Sequence, residues 1–331
     1  MLYILGGFAM NFESIGNGLV EGYCLIKTID KKTSSRGSTY LDLTIADSTG
    51  EMNAKFWDYN EQLHRHFAAG DIVKIRGSIS PYNGVDQLRI DRIRDVSAQD
   101  NINAADFVPS AECSTDGMYA ALIDIANNFK DEELKKLVIT LYERNKEVML
   151  YAPAAFKLHH AVRGGLLYHI LSIVRLCEGV CKVYPYVDKD LLIAGAMLHD
   201  ISKITEFNLN KTGLVEDYSV KGNLLGHIPM GAMLIENTCK ELGISEETAM
   251  LIEHMILSHH GDPEYGAAVR PMFLEAVILS ELDLLDSRVY EVANAVKDLE
   301  KGQFSARQWA LDNVKLYNHS RINLEPNAKL L

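Results

Sequence analysis

The sequence predicts a multidomain chain, with a small closed all-β barrel followed by an all-α domain. Three observations carry that prediction. Between Gly18 and Ile93, short runs alternate apolar and polar residues, the period of a half-buried strand. Beyond Asp116, apolar residues recur at three- and four-residue spacing, the period of a helix with one buried face. The chain has 331 residues, 47% apolar and 24% charged, a globular balance in a length that suits two domains.

Residues 1–11 are set apart as an N-terminal extension. MLYILGGFAM is short and lacks a basic start, so it is a poor signal peptide, and Met10 offers an alternative start. Residues 12–96 form the barrel. YLDLTIAD (Tyr40–Asp47), AKFWD (Ala54–Asp58), DIVKIRGSI (Asp71–Ile79) and DQLRIDRI (Asp86–Ile93) read as strands. SSRGS at 34–38, DSTG at 47–50, AAGD at 68–71 and YNG at 82–84 supply the turns, and Tyr59–Phe67 reads as helical. About five short strands with one helical stretch fit the OB-fold. Residues 97–116 are small and polar and read as a linker. Residues 117–320 are helical almost throughout, from MYAALIDIANNF to FLEAVILSELDLLDSRVYEVANAVKDLE, with a last helix near Ala306–Asn318. Residues 321–331 are a tail.

Several classes are excluded or disfavoured. No apolar run reaches the roughly 18–20 residues of a membrane helix, so a cytoplasmic protein without a membrane partner is expected. Cys24, Cys113, Cys177, Cys181 and Cys239 are odd in number and form no CxxC pair, which fits reduced thiols. The net charge of −12 argues against wholesale coating of nucleic acid but leaves room for a local basic groove.

The helical half carries the chemistry. LLIAGAML (191–198) is apolar all round, the signature of a buried helix, and it runs into His199-Asp200. A buried carboxylate costs several kcal/mol unless it is paired or holds a metal. Lys203 follows four residues after His199, on the same helical face. His169 interrupts GLLYHILSIV, His227 opens GHIPMGAMLI, His259-His260 close MLIEHMILSHH, and Asp283 sits within AVILSELDLLD. A lone histidine on an apolar helix is ordinarily a hydrogen-bonded core residue, and a lone aspartate an ion-pair partner. So many in one helical domain of a chain with 11 histidines point instead to a shared site. Nitrogen and carboxylate donors without cysteine suit Mn²⁺, Fe²⁺, Co²⁺ or Ni²⁺ better than structural zinc.

The order His169, His199-Asp200, Asp283 resembles the HD-domain metal phosphohydrolases, and with His227 and His259 or His260 the subgroup that holds two metals. RGGLLYHILSIVRLC, LLIAGAMLHDISKITEF, LLGHIPMGAMLI, LIEHMILSHHGDPEYGA and EAVILSELDLLDSRV are similar to the YhaM-type 3′→5′ exoribonuclease family, an OB-fold joined to an HD domain. The resemblance spans roughly residues 12–320. It implies that His169, His199, Asp200 and Asp283 are core ligands, with Asp200 bridging. It implies that His227 and His259 complete a second metal beside His260, the order of the adjacent pair being open. Two divalent ions follow, Mn²⁺ favoured and Mg²⁺ among the alternatives. Lys203 would reach the scissile phosphate, and His227 or His260 would assist the leaving oxygen. Ser280 stands one turn before Asp283, where relatives are expected to carry histidine. His159, His160 and Arg163, in a basic stretch before the first ligand, and Arg270 are candidates for phosphate contacts.

OB-folds bind single strands by stacking bases on aromatics and tracking phosphates with Lys and Arg. Lys27, Lys31, Lys32 and Arg36 lie between the first two strands. Phe56 and Trp57 are strand neighbours, so one faces the core and the other the surface. Tyr82 and Arg89 complete the set. Residues 11–108 hold 11 Lys and Arg against 14 Asp and Glu, so the barrel is near neutral at −3. The expected activity is a metal-dependent 3′→5′ exonuclease on single-stranded RNA, with single-stranded DNA as a second candidate substrate and a homo-oligomer as a candidate state. The alternatives are a phosphohydrolase of nucleotides or other small phosphate esters, and a single-strand-binding protein with an idle HD domain.

Overall fold

The computed structural model describes residues 3–324 apart from 13, 36, 83, 104–105, 157–159 and 211. It divides into two compact units, residues 1–110 with 210–214, and residues 111–209 with 215–331.

The first unit is a closed barrel. Its strands are β1 (Tyr3–Ala9), β2 (Gly18–Thr33), β3 (Thr39–Ala46), β4 (Glu51–Phe56), β5 (Ile72–Tyr82) and β6 (Val85–Asp95), with the short helix α1 (Glu61–His64) between β4 and β5. β2 is long enough to serve two neighbours. Its first half pairs antiparallel with β5, from Gly18↔Ile79 to Leu25↔Ile72, and its second half with β3, from Leu25↔Ala46 to Thr33↔Thr39. A register shift between Ile26 and Thr28 marks the β2–β3 ladder, a device that bends a strand. β3 pairs with β4, β4 runs parallel to β6, and β6 pairs with β5, so the ring closes. Residues Tyr3–Ala9, set apart as an extension in the sequence, run parallel to β2.

The alternation read in the sequence is the inside–outside alternation of the barrel. Leu41, Leu43 and Ile45 of β3, Ala54 and Phe56 of β4, Val73 and Ile75 of β5, and Leu88 and Ile90 of β6 fill the core. Gly77 sits where β5 and β6 shift register, and a Cβ there would lie 2.1 Å from the Arg89 carbonyl oxygen. Only glycine fits that close approach. The segment expected as a linker is partly built in. Phe107 and Val108 are buried with Tyr23 and Leu25, and Asp100 accepts hydrogen bonds from the Tyr23 hydroxyl (2.7 Å) and from Arg94.

The second unit contains α2 (Thr115–Asn127), α3 (Glu132–Met149), α4 (Gly165–Val183), α5 (Lys189–Leu198), α6 (Lys203–Glu206), α7 (Val220–Leu225), α8 (His227–Leu242), α9 (Glu246–Ser258) and α10 (Leu274–Val296). Ser114, Asp131, Asp188, Ser219 and Ser245 cap their helices by accepting backbone N–H bonds. α5 is buried from Leu191 to Leu198 and packs among α3, α4, α9 and α10. A Cβ on Gly195 would lie 2.1 Å from Met255 Cε, so α5 and α9 approach closely there.

Two elements differ from the sequence expectation. Phe207–Leu209 and Val215–Tyr218 form a small hairpin, β7 and β8, inside the helical half. Residues 306–318 do not form a helix. Bridges Phe304↔Tyr317 and Gln308↔Val314 fold the segment back on itself, and Asp312 and Asn313 take left-handed conformations (φ 53° and 59°) at the bend. Asp and Asn tolerate that region, so the LDN tripeptide is a turn signal that outweighs the apolar spacing. No helix among the described residues is long and apolar enough to cross a membrane. The five cysteines are free thiols.

Candidate functional site

Four helix termini and one helix interior meet at a buried centre. α5 and α9 both end there, with His199 and His259 as their C-cap residues, α8 begins there at His227, and α4 brings His169 from its first turns. α10 contributes Asp283 from mid-helix. The C-terminal ends of α5 and α9 carry partial negative charge and favour a cation between them. His199 and His259 are held alike. Each Nδ1–H donates to the carbonyl three residues back, Ala196 at 2.8 Å and Ile256 at 2.7 Å, and this turns each Nε2 inward.

One group of donors is tight. His169 Nε2 lies 3.3 Å from His199 Nε2, 3.6 Å from Asp200 Oδ2 and 3.2 Å from Asp283 Oδ1. His199 Nε2 lies 3.3 Å from Asp200 Oδ2 and 3.9 Å from Asp283 Oδ1. Ligands about 2.1 Å from a common ion stand at such mutual separations. A second group faces the other carboxylate oxygen. Asp200 Oδ1 lies 3.5 Å from His227 Nε2 and 3.7 Å from His259 Nε2, and all three atoms are buried without a hydrogen-bond partner. Buried polar atoms are normally satisfied, so three orphans aimed at one space fit a cation held between them. His260 stands at the rim, grouped with His227 and His259, its Nδ1–H donating to the Tyr265 carbonyl at 3.1 Å.

Burial and neighbouring charges act on these donors together. Burial pushes the Asp200 carboxyl up, but the Lys203 ammonium and His199 hold it well below the usual range. Burial likewise raises Asp283, and the neighbouring His169 and His199 outweigh it. Burial, with His260 and His199 nearby, pushes His259 well down, so it is a neutral ligand-competent imidazole. Burial lowers His260 too.

Sequence reasoning missed two carboxylates. Asp286 Oδ2 accepts from His169 Nδ1 at 2.7 Å and from His160 Nε2 at 3.0 Å. Glu206 Oε1 accepts from the His227 backbone N–H at 3.0 Å and lies 3.1 Å from His227 Nδ1. Both were legible as spacing, since Asp286 follows Asp283 by three residues and Glu206 follows Lys203 by three, one helical turn in each case.

Other candidates are placed differently from the expectation. α5 stops at Leu198 and the chain turns through 199–202, so Lys203 is not on a helix face with His199. Its ammonium meets Asp200 Oδ2 at 2.6 Å instead. His160 is corrected from a phosphate contact: it is 2% exposed and committed to Asp286. Arg163 is half-buried with its guanidinium over the Tyr151 ring at 5.3 Å. Arg270 is exposed and paired with Asp262 at 2.7 Å. The buried Ser280 hydroxyl donates to the Val277 carbonyl. Arg36 and His159 lie outside the described residues.

On the barrel, Phe56 is corrected from a nucleic-acid contact to a core residue, 3% exposed, whereas Trp57 is 41% exposed. Trp57 stacks on Tyr40, ring centroids 4.3 Å apart at 26°, and the Lys55 ammonium lies 5.4 Å over the Tyr40 ring. Tyr40, Lys55 and Asp42 occupy the outward face of β3 and β4. Tyr40 had no sequence signal beyond its place in the alternation. Lys32 and Lys55 both pair with Asp42, at 2.6 and 2.9 Å, while Lys27 pairs with Glu51 and Lys31 with Glu61. Tyr82 and Arg89 are exposed, the nearest carboxylate to Arg89 being Asp91 at 3.8 Å. The result is a mixed aromatic and cationic surface whose lysines are held by exposed or half-buried carboxylates.

Comparison with known proteins places both units in families. Residues 166–288 match the HD domain, and residues 25–96 match the OB-fold nucleic acid binding domain. Over 302 residues the chain is 35% identical to the 3′-5′ exoribonuclease YhaM of Shouchella clausii, covering 91% of this chain and 93% of the relative. The YhaM of Listeria innocua is 35% identical over 300 residues (90% and 95%), and that of Bacillus subtilis is 34% identical over 299 residues (90% and 94%).

Proposed function

Because this chain belongs to the family of the 3′-5′ exoribonuclease YhaM, we propose that it is a metal-dependent 3′→5′ exonuclease. It hydrolyses phosphodiester bonds of single-stranded RNA, and of single-stranded DNA. The observation that carries a dinuclear site is the division of Asp200. Its Oδ2 faces His169, His199 and its Oδ1 faces His227 and His259. That division would let Asp200 bridge two ions.

His169, His199, Asp200 and Asp283 would hold one ion, and Asp200, His227, His259 and His260 the other. When bound, divalent ions there supply an activated water and offset the charge growing on phosphorus. The all-N/O donor set favours Mn²⁺, with Fe²⁺, Co²⁺, Ni²⁺ and Mg²⁺ as alternatives. Lys203 brings a fixed positive charge beside Asp200 for a phosphate oxygen. Whichever of His227 and His260 is not held by the second ion would assist the leaving oxygen. On the barrel, Trp57 and Tyr40 offer a stacking platform and Lys27, Lys31, Lys32 and Arg89 line its surroundings. A platform for a strand favours a polynucleotide over a free nucleotide.

The test is a 5′-labelled single-stranded RNA incubated with Mn²⁺, with a chelator control and the Asp200→Ala variant. A metal-dependent ladder shortening from the 3′ end and absent in the variant is expected. An intact strand would move the assignment to a small-molecule phosphohydrolase.

A further inference from the structure

His160 is built into its position with unusual constraint. It takes a left-handed backbone conformation (φ 52°), which a non-glycine residue adopts at a cost. Its carbonyl oxygen accepts the Ala154 N–H at 3.1 Å, and a Cβ on Gly165 would lie 2.0 Å from that oxygen, so the helix start is pressed against it. The Tyr290 ring lies 4.0 Å from its imidazole. A strained, buried residue persists when its surroundings over-determine it, and here they aim Nε2 at one carboxylate oxygen.

That oxygen is Asp286 Oδ2, which also accepts from His169 Nδ1. An ionised carboxylate only accepts, so both imidazoles must donate to it. With Nδ1–H committed to Asp286, Nε2 is the His169 atom left to face an ion beside His199, Asp200 and Asp283. Asp286 lies one turn beyond Asp283 on α10, so a single helix supplies a candidate ligand and the group that orients its neighbour.

We propose that Asp286 and His160 are positioning residues for the metal centre. Asp286 selects the tautomer and ring orientation of His169, and His160 locks Asp286 in the rotamer that does so. The inference rests on the metal-centre reading above and adds two residues to it. An outer partner of this kind is worth roughly 10–100-fold in metal affinity.

The experiment is Mn²⁺ titration calorimetry of the full chain, wild type against Asp286→Ala, Asp286→Asn and His160→Asn. Thermal melts and single-stranded RNA affinity serve as controls for folding. Asparagine at 286 keeps an oxygen acceptor for His169, and asparagine at 160 tolerates the left-handed backbone. Asp286→Ala is expected to weaken Mn²⁺ binding by about 10–100-fold. Asp286→Asn should recover most of that loss, and His160→Asn should show a smaller loss than Asp286→Ala. Nitrogen-15 spectra should show His169 losing its fixed Nδ1–H tautomer in Asp286→Ala. Equal Mn²⁺ affinity in wild type and Asp286→Ala would overturn the brace and leave the metal centre standing. A lowered melting temperature with unchanged affinity would also overturn it. Absence of Mn²⁺ binding by the wild type would overturn the metal centre and the brace with it.

Discussion

Asp200 Oδ1 lies 3.7 Å from His259 Nε2, and both atoms are buried with no hydrogen-bond partner. That separation is too long for a hydrogen bond and suits two ligands flanking an ion. An unsatisfied buried polar atom costs about 1–3 kcal/mol, so a cation that satisfies it adds directly to stability. Mn²⁺ at a hundred times its dissociation constant should stabilise the fold by about 2.7 kcal/mol. A thermal melt with and without Mn²⁺ checks this, and chelator should reverse the shift. Asp200→Ala should abolish hydrolysis, keep its helical circular dichroism and show no Mn²⁺-dependent shift. A wild-type melt indifferent to Mn²⁺ would count against the ion.

Glu206 should be sensitive to a glycine that never touches the site. A Cβ on Gly222 would lie 2.1 Å from the Glu206 carbonyl oxygen, so Gly222→Ala must move backbone. The cost is about 1–3 kcal/mol of stability. Because Glu206 holds His227 by backbone and ring, cleavage should fall about 10-fold or more. Melting temperature and the rate of ladder formation measure the two effects separately.

Trp57 and Phe56 should behave oppositely. Trp57→Ala removes a stacking surface worth about 1–3 kcal/mol per base, so single-stranded RNA binding should weaken roughly 5–150-fold with the melt unchanged. Phe56→Ala empties a core position and should cost about 3–5 kcal/mol of barrel stability. Fluorescence anisotropy and urea denaturation distinguish them. Unchanged affinity in Trp57→Ala would remove the platform from the binding face.

Asp42 gives the barrel an acid-sensitive tie. Burial raises its carboxyl, but Lys32, Asn53 and Lys55 hold it down to about 2. A carboxyl lowered in the folded state stabilises above its unfolded pKa and stops doing so as pH falls through the folded one. The gap in urea midpoint between wild type and Asp42→Asn should therefore be full above about pH 4 and close toward about pH 2. A gap independent of pH would contradict the ion pairs.

The sequence alone determined the two textures, the order of the chemical groups and the face of each strand. Leu41, Leu43 and Ile45 alternate inward because a strand has period two. His199, His227, His259 and Asp283 were conspicuous because they interrupt or terminate apolar helices, where a polar group needs a reason. The same local logic failed where distant contacts decide. Lys203 looked like a partner of His199 along one helix, but the turn through 199–202 redirects it to Asp200. His160 looked like a surface cation, and only α10 arriving with Asp286 and Tyr290 explains its burial. The adjacent histidines could not be ordered by spacing. Packing of α9 against α5 turns His259 inward and leaves His260 at the rim. Periodicity reports which side of an element is buried, because that depends on the residue's own helix or strand. Which carboxylate oxygen faces which imidazole depends on how separate elements cross, and only the tertiary structure decides it.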